Sequence, residues 1–273
     1  MTLSKRAILR YTLLAIQVLL LLPIGWFMVH LLLPRGFSSK AAEVLPLQLT
    51  SGAFQITYYA ATNPRGVLIV ATGDGGWSTQ WEEPLAVHAA AAGYAVGGWD
   101  CRKFADTRSF TQGQLVAAFN AAVAAVRQRA RLADDCPVWF TGWSTGAEWA
   151  LAAAASPERE QHLVGVLAAA PGERSRYGIT SSDLLGLTST GPGSFALTEL
   201  AAALHGVRVV QFSAELDLLD ECGWLDSLGS GTPHKLVRLP GVAHDMGGAC
   251  ERFLAEFDMA IQWMADTPVL RDP

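Results

Sequence analysis

The chain alternates between short, fully apolar runs and longer segments of helical composition. After its first glycine, the run at 66–71 is apolar at every position, which is typical of a strand buried on both faces of a sheet. The predicted strands are 45–50, 54–60, 66–71, 94–99, 137–141, 163–170, 207–213 and 235–239, and the predicted helices are 84–92, 112–131, 147–155, 197–204 and 250–264. Because strands alternate with helices, the pattern predicts an α/β fold with a mostly parallel sheet flanked by helices.

The N-terminal region has a different pattern. Residues 11–33 carry no formal charge, and this stretch is long enough for a transmembrane helix, which needs about 20 residues. Lysine and arginine residues precede it, the last being Arg10, which favours an orientation with the N-terminus inside. We therefore predict a cytoplasmic segment (1–10), a signal-anchor helix, a linker (34–44) and an α/β domain (45–268) outside the cytoplasm. A cleaved signal peptide is the alternative, but its apolar core would normally have about 7–15 residues.

The composition of the 273-residue chain fits one domain with a large apolar core. Hydrophobic residues make up 51% and charged residues 16%, as expected where a parallel sheet is buried on both faces. The net charge is −5, and no basic stripe interleaved with aromatic residues occurs, so we expect no nucleic-acid partner. The sequence shows no metal-ligand spacing, and we expect neither a metal nor another cofactor.

The most specific chemical motif is G-W-S-T-G at 142–146. It follows a predicted strand and opens an alanine-rich helix, which is the setting that G-x-S-x-G requires in an α/β-hydrolase fold. The central Ser144 would sit on a strained turn, where only small residues fit two positions to either side. We predict that Ser144 is a nucleophile and that the protein is a serine ester hydrolase.

A serine nucleophile needs a base and an acid, and in this fold the acid and then the histidine follow the serine. Among six histidines, His244 lies in the loop directly after the last predicted strand, and it is the predicted base. Asp217 follows the preceding strand, and as the acid it would orient the imidazole and stabilise the protonated ring. Glu215 and Asp220 are close enough in sequence to be alternatives for the acid.

Attack on a carbonyl also requires two backbone N–H groups that face the oxygen as it becomes negative. One is expected from Thr145, next to the nucleophile. The other is expected from the loop at 72–77, where Asp74 is the first candidate and Gly75 the second. Three glycines let this loop approach a substrate closely. The alternatives are an ordinary tight turn or a phosphate-binding loop, but the Gly-Lys-Ser/Thr ending of the latter is absent.

Three strings in the sequence together resemble one known family: G-D-G-G-W at 73–77, G-W-S-T-G-A at 142–147 and P-G-V-A-H at 240–244. From about 66 to 260 the chain is similar to the VirJ and AcvB family of bacterial virulence proteins. Members often carry Tyr in place of Trp143, and the AcvB type has an extra unit that this chain lacks. The resemblance implies an exported hydrolase, held in the bacterial inner membrane with its catalytic domain in the periplasm, that cleaves the aminoacyl ester of aminoacyl-phosphatidylglycerol. It also implies a link to type IV secretion, which makes secretion-system components a further class of partner.

Such a substrate carries an ammonium group near its ester, which a carboxylate would hold by a charge-assisted hydrogen bond. Asp100 ends a predicted strand on the active-site side, and Asp74 lies in the oxyanion loop, so both are candidates for this role. A structural loop cap is the alternative for each. We also expect Trp77 and Trp143 to contact the substrate. The irregular segment 172–198 is long enough to form a small flexible lid.

Four cysteines occur, and an even number in an exported chain permits disulfides. Cys222 follows the acid loop and Cys250 follows the base loop, so a bridge between them would brace both loops. Cys101 and Cys136 lie at opposite ends of the predicted sheet, which disfavours their pairing. The alternative is that all four are ordinary small buried residues.

Two other functions fit the same sequence. One is a general esterase, lipase or peptidase of the same fold that does not act on an aminoacylated lipid. The other is a periplasmic binding or assembly factor for a type IV secretion machine, in which the predicted triad is incidental and the virulence role does not depend on catalysis.

Overall fold

A computed structural model describes residues 42–77, 81–105, 109–185, 187–217, 219 and 221–268. Its strands are β1 Glu43–Leu49, β2 Gly52–Tyr59, β3 Val67–Ala71, β4 Ala95–Trp99, β5 Val138–Trp143, β6 Leu163–Ala169, β7 Arg174–Arg176, β8 Ser194–Ala196, β9 Arg208–Ala214 and β10 His234–Leu239. Its helices are α1 Glu82–Ala91, α2 Cys101–Ala105, α3 Gln112–Ala130, α4 Thr145–Ala154, α5 Ser181–Leu184, α6 Leu197–Leu200, α7 Met246–Ala249 and α8 Glu251–Asp266, with 3₁₀ turns at Ala201–Leu204 and Gly223–Ser227.

Eight of the described strands form one sheet, in the order β1-β2-β4-β3-β5-β6-β9-β10. β2 pairs antiparallel with β1 and with β4, whereas every pair from β4 to β10 is parallel. The two other strands, β7 and β8, pair with each other as a small antiparallel hairpin. The predicted α/β architecture with a mostly parallel sheet is therefore confirmed.

Both faces of the sheet are covered by helices, which is why its central strands are apolar throughout. Along β3, Ile69 points into a core that it shares with α3 and α4, while the adjacent Leu68 points into a core shared with α1 and α8. Every residue of β3 and β4 is buried. The parallel strands therefore end together at one carboxyl edge, where the loops that follow β3, β5, β9 and β10 meet.

Two local features differ from the predicted pattern. Directly after β4, the Asp100 side chain accepts the backbone N–H of Lys103 at 2.9 Å and so begins the short helix α2. The segment 172–198, predicted to be irregular, contains the β7–β8 hairpin with α5 between the strands. The stacked rings of Tyr177 and Phe195, whose centroids are 4.7 Å apart, lie beside this hairpin. Strands of three residues are too short to produce a readable hydrophobic period.

The predicted N-terminal segments lie almost wholly outside the described residues. This applies to the cytoplasmic segment 1–10, the anchor 11–33 and most of the linker 34–44. The last two linker positions, Glu43 and Val44, already belong to β1. None of the helices in the described ranges is both long and apolar enough to span a bilayer.

The predicted Cys222–Cys250 disulfide is wrong, because all four cysteines are free. Cys222 packs against the apolar cluster that includes α3 and α4, whereas Cys250 packs against the cluster that includes α1 and α8. The two thiols thus belong to opposite faces of the sheet, although they follow neighbouring strands. Cys101 is fully buried, which raises the pKa of its thiol, and the Cys136 sulfur accepts the Arg127 Nε–H at 3.4 Å.

Candidate active site

The candidate nucleophile lies on the sharp turn between β5 and α4. Ser144 has φ +52° and ψ −124°, a backbone conformation that residues other than glycine rarely adopt. Its N–H donates to the Ala169 carbonyl at 2.8 Å, and its own carbonyl accepts the Ala147 N–H at 2.8 Å. These bonds hold a strained residue in place, and strain of about 1–3 kcal/mol of this kind is concentrated at functional sites.

The two glycines of the motif are required by close backbone contacts. A Cβ on Gly142 would lie 2.2 Å from the carbonyl carbon of Gly146, and a Cβ on Gly146 would lie 2.4 Å from the carbonyl oxygens of Ala71 and Thr72. No side chain fits at these distances, and the atoms in the way are backbone atoms that cannot swing aside. The turn that presents Ser144 therefore depends on both glycines, as the motif predicts.

The predicted base and acid are hydrogen-bonded to each other. His244 Nδ1 donates to Asp217 Oδ2 at 2.6 Å, and the other carboxylate oxygen accepts the Leu219 N–H at 2.9 Å. The Asp217 side chain is 2% exposed, whereas the His244 side chain is 31% exposed. A buried acid with both oxygens engaged fixes the orientation of the imidazole ring and leaves Nε2 for the nucleophile.

The structure separates Asp217 from its nearest rival for the acid role. Glu215 is exposed, and its carboxylate accepts the N–H of Gly241 at 2.8 Å instead of facing the imidazole. That bond ties the turn after β9 to the loop that carries His244. The other alternative, Asp220, lies outside the described residues.

Ser144 and His244 line one cavity of about 200 Å³ at the carboxyl edge of the sheet. No hydrogen bond within 3.5 Å joins the Ser144 hydroxyl to the His244 ring in the described part of the chain. Such bonds are often long in ligand-free enzymes and shorten when substrate binds. In the same described ranges, no group of three or more His, Cys, Asp or Glu side chains is arranged to hold a metal ion.

Of the three predicted oxyanion-hole residues, two line the cavity. Thr145 is the first residue of α4 and Asp74 lies in the loop after β3, and both line the cavity together with Ser144. Gly75 is exposed, and its N–H interacts with the Asp74 carboxyl group. Burial raises the pKa of Asp74, while the charges of His244 and Arg102 act in the opposite direction.

Two of the predicted substrate contacts are not in the cavity wall. Trp77 is 1% exposed and packs in the core, where a Cβ on Gly98 would lie 2.4 Å from its ring. Asp100 caps α2, and its second oxygen accepts the Trp77 N–H at 3.4 Å and lies 3.7 Å from Lys103 Nζ. The structure therefore favours the structural alternative for Asp100, and the absence of a side chain at Gly98 explains the burial of Trp77.

Trp143, the third predicted contact, supports the base instead of lining the cavity. Its Nε1–H donates to the His244 carbonyl at 2.6 Å, and the two ring centroids are 5.2 Å apart. The indole ring also covers Gly73, where a Cβ would lie 3.0 Å from it. Trp143 thus connects the nucleophile turn, the oxyanion loop and the base loop.

Sequence reasoning missed Glu148, a buried carboxylate in the same cavity. It lies one turn after the nucleophile on α4, and its N–H donates to the Ser144 carbonyl at 3.2 Å. The residue is 6% exposed, and burial raises the pKa of its carboxyl group to about 7. The available signal was a lone acidic residue within an otherwise apolar predicted helix.

The β7–β8 hairpin and α5 form a polar wall of the cavity, which was also missed. Asp183 is the centre of this wall: it accepts hydrogen bonds from Thr180 and Ser189 at 2.6 Å and lies 3.6 Å from Arg176. Two leucines of the lining are themselves exposed, Leu187 by 58% and Leu219 by 49%. The cavity therefore has a charged interior with apolar side chains open to solvent.

Comparisons with solved structures identify the architecture. The chain is similar to the α/β hydrolase GrgF from Penicillium, with a TM-score of 0.63 and 14% identity over 82% of this chain and 99% of that one. It is similar to the esterase domain of a Rhodothermus marinus protein, with a TM-score of 0.57 and 12% identity over 82% of this chain and 98% of that one. It is also similar to a membrane phospholipase A described as a bacterial virulence factor, with a TM-score of 0.60 and 14% identity over 97% of this chain and 100% of that one. No protein-family model and no curated protein matches the sequence. At these identities the likeness concerns the fold, and the chain has the α/β-hydrolase fold.

Proposed function

We propose that this protein is a serine ester hydrolase in which Ser144, His244 and Asp217 form the catalytic triad. The observation that carries the proposal is the combination of three features, two of which, Ser144 and His244, line the same cavity. These features are a strained serine between β5 and α4, a partly exposed histidine, and a buried aspartate bonded to that histidine at 2.6 Å. Solved structures of the same fold that include an esterase domain and a phospholipase A are consistent with this chemistry.

The reaction follows from the positions of these groups. His244 Nε2 takes the proton of the Ser144 hydroxyl as its oxygen attacks the ester carbonyl, while Asp217 stabilises the imidazolium. The N–H groups of Thr145 and Asp74 would bind the resulting oxyanion. His244 then protonates the departing alcohol, which leaves an acyl group on Ser144. A water molecule, deprotonated by His244, releases the acid and restores the serine.

We further propose that the ester is the aminoacyl ester of aminoacyl-phosphatidylglycerol at the outer face of the bacterial inner membrane. The acid-rich lining of the cavity suits an ammonium-bearing acyl group, and the exposed Leu187 and Leu219 suit the lipid part. The predicted N-terminal anchor would keep the domain near the bilayer. The family resemblance of the motifs at 73–77 and 142–147 supports the same substrate.

A fluorophosphonate probe tests the nucleophile. The full-length protein in mild detergent should be labelled covalently, and the Ser144→Ala variant should not. Ser156→Ala is a matched control, because Ser156 is buried beyond the end of α4 and outside the cavity lining. Equal labelling of the wild type and Ser144→Ala would show that Ser144 is not the nucleophile.

Lipid hydrolysis tests the substrate. Wild-type protein should release amino acid from lysyl- or alanyl-phosphatidylglycerol in mixed micelles, and Ser144→Ala should leave these lipids intact. If the wild type cleaves simple acyl esters but not these lipids, it is a general esterase or lipase. If Ser144→Ala retains full function in cells, the protein acts as an accessory factor, such as one for type IV secretion, and not through catalysis.

A further inference from the structure

The position of Glu148 relative to the nucleophile is fixed by one turn of helix. The Glu148 N–H donates to the Ser144 carbonyl at 3.2 Å, so Glu148 lies in the first turn of α4, directly after the sharp turn that carries Ser144. Side chains of a helix tilt toward its N-terminus, which directs the Glu148 side chain back toward the nucleophile. Both residues line the same cavity.

The hydrogen-bond partners of Glu148 are neutral groups. Its Oε1 accepts the Gly172 N–H at 2.8 Å, and the Ser175 hydroxyl also donates to the carboxyl group. Gly172 is so close that a Cβ there would lie 3.1 Å from Oε1. Among the described residues, no lysine, arginine or histidine forms an ion pair with Glu148. A buried carboxylate without a cation is unfavourable, and such groups usually pair with one.

The two arginines of the lining are already paired with acidic residues other than Glu148. Arg176 faces Asp183 at 3.6 Å, and Arg174 lies 3.9 Å from Glu199, so both guanidinium groups already have acidic partners. The acidic residues of the lining outnumber its two arginines; they are Asp74, Glu148, Glu173, Asp183 and Glu221. The electrostatic potential within the cavity therefore favours a positively charged ligand group over a neutral or negative one.

We propose that Glu148 binds the ammonium group of the aminoacyl substrate and makes the enzyme selective for esters of amino acids with a free amine. This inference rests on the proposed hydrolase function. In an aminoacyl ester the α-ammonium nitrogen is two bonds from the carbonyl carbon that Ser144 attacks. One helical turn, about 5.4 Å, separates Ser144 from Glu148, and the length of the glutamate side chain bridges that gap. The cationic end enters the polar cavity, and the alcohol part of the ester remains outside.

Two soluble esters of the same shape that differ in charge provide the test: alanine ethyl ester and ethyl isobutyrate, in which a methyl group replaces the ammonium group. We expect the wild-type full-length protein to prefer the cationic ester. Glu148→Gln should lower kcat/KM for that ester about 10- to 100-fold, as expected for one charged hydrogen bond, and change the neutral ester less than about threefold. Fluorophosphonate labelling of Glu148→Gln checks that the variant is folded and that its Ser144 still reacts.

Glu158→Gln is the control, because it removes an exposed carboxylate beyond α4 that is not part of the cavity lining. It should leave the preference for the cationic ester unchanged. An equal fall for both esters in Glu148→Gln, or no preference in the wild type, would overturn the assignment of Glu148. If the soluble pair behaves as expected but aminoacyl-phosphatidylglycerol is not hydrolysed, the ammonium site stands and the lipid substrate is wrong.

Discussion

A carboxylate kept in the cavity for substrate binding should make the free protein less stable at neutral pH, and Glu148→Gln measures that effect. Burial raises the pKa of Glu148 from 4.5 to about 7, and the charges of Asp74 and Asp183 act in the same direction. Hydrogen bonds from Ser175 and Gly172 oppose the increase. At about 1.4 kcal/mol per pKa unit, this increase means that folding disfavours the ionised form of Glu148 by about 3 kcal/mol relative to the protonated form.

The direction of the pH dependence follows from which state holds the proton more tightly. Because the folded protein has the higher pKa, the unfolded chain loses the Glu148 proton first as pH rises from about 4.5. The free energy of unfolding therefore falls between pH 4.5 and 7, and the full loss of about 3 kcal/mol is present above pH 7. Glutamine keeps the acceptor for the Gly172 N–H but does not titrate, so the variant escapes this loss.

Urea unfolding of the full-length protein in a nonionic detergent, from pH 4 to pH 8, provides the assay. The free energy of unfolding of Glu148→Gln minus that of the wild type should increase by about 3 kcal/mol over this range. Glu158→Gln, followed in parallel, measures the effect of removing one negative charge elsewhere. A difference for Glu148→Gln that stays constant, or that decreases with pH, would refute the argument that this carboxylate is buried without a compensating cation.

Three further predictions concern the groups around the nucleophile. Asp217→Asn should lower kcat about 10³- to 10⁴-fold in a steady-state ester assay, because it favours the wrong tautomer of His244. Glu215→Gln is the control and should change kcat less than about tenfold. Similar losses in both variants would contradict the assignment of Asp217 as the acid. Trp143→Phe removes the 2.6 Å bond to the His244 carbonyl and should lower kcat/KM about tenfold, with unfolding by urea as the control for stability. Gly146→Ala should destabilise the fold by about 3 kcal/mol in the same unfolding assay, because its Cβ would meet two backbone carbonyl oxygens, and an unchanged midpoint would show that the turn can relax.

The sequence predicts those parts of the site that depend on backbone geometry. The apolar run at 66–71 indicates a strand buried on both faces, and β3 has that environment. The glycines of the 142–146 motif indicate a turn without space for side chains, and the contacts of Gly142 and Gly146 have that origin. The order of the loops along the chain indicated His244 as the candidate base and Asp217 as the first candidate acid, because parallel strands end at one edge of the sheet, but it left Glu215 and Asp220 open as alternatives to Asp217.

Residues whose surroundings are set by distant parts of the chain were harder to predict. Trp77 is the last residue of the predicted oxyanion loop, yet its side chain lies in the core because Gly98 of β4 leaves space for its ring. Glu148 lies in a helix that is otherwise buried, and its exposure to the cavity depends on where the loop at Gly172 passes. Cys222 and Cys250 follow neighbouring strands, but the chain leaves these strands toward opposite faces. The lone acidic residue in an apolar helix is a local signal for Glu148, but local patterns contain no information on the contacts of Trp77, Cys222 and Cys250.

The hairpin beside the nucleophile bears on how the substrate is recognised. The segment 172–198 is long enough for a small flexible lid, and in the structure it is attached to α4 by the Trp149 Nε1–H, which donates to the Arg176 carbonyl at 2.9 Å. Trp149 is fully buried and adjoins Glu148 in the chain, so the hairpin and the proposed ammonium site share one anchor. Because the hairpin wall of the cavity is attached to the helix that follows the candidate nucleophile, we expect selectivity to come from a preformed acidic cavity and not from closure of a lid over the substrate.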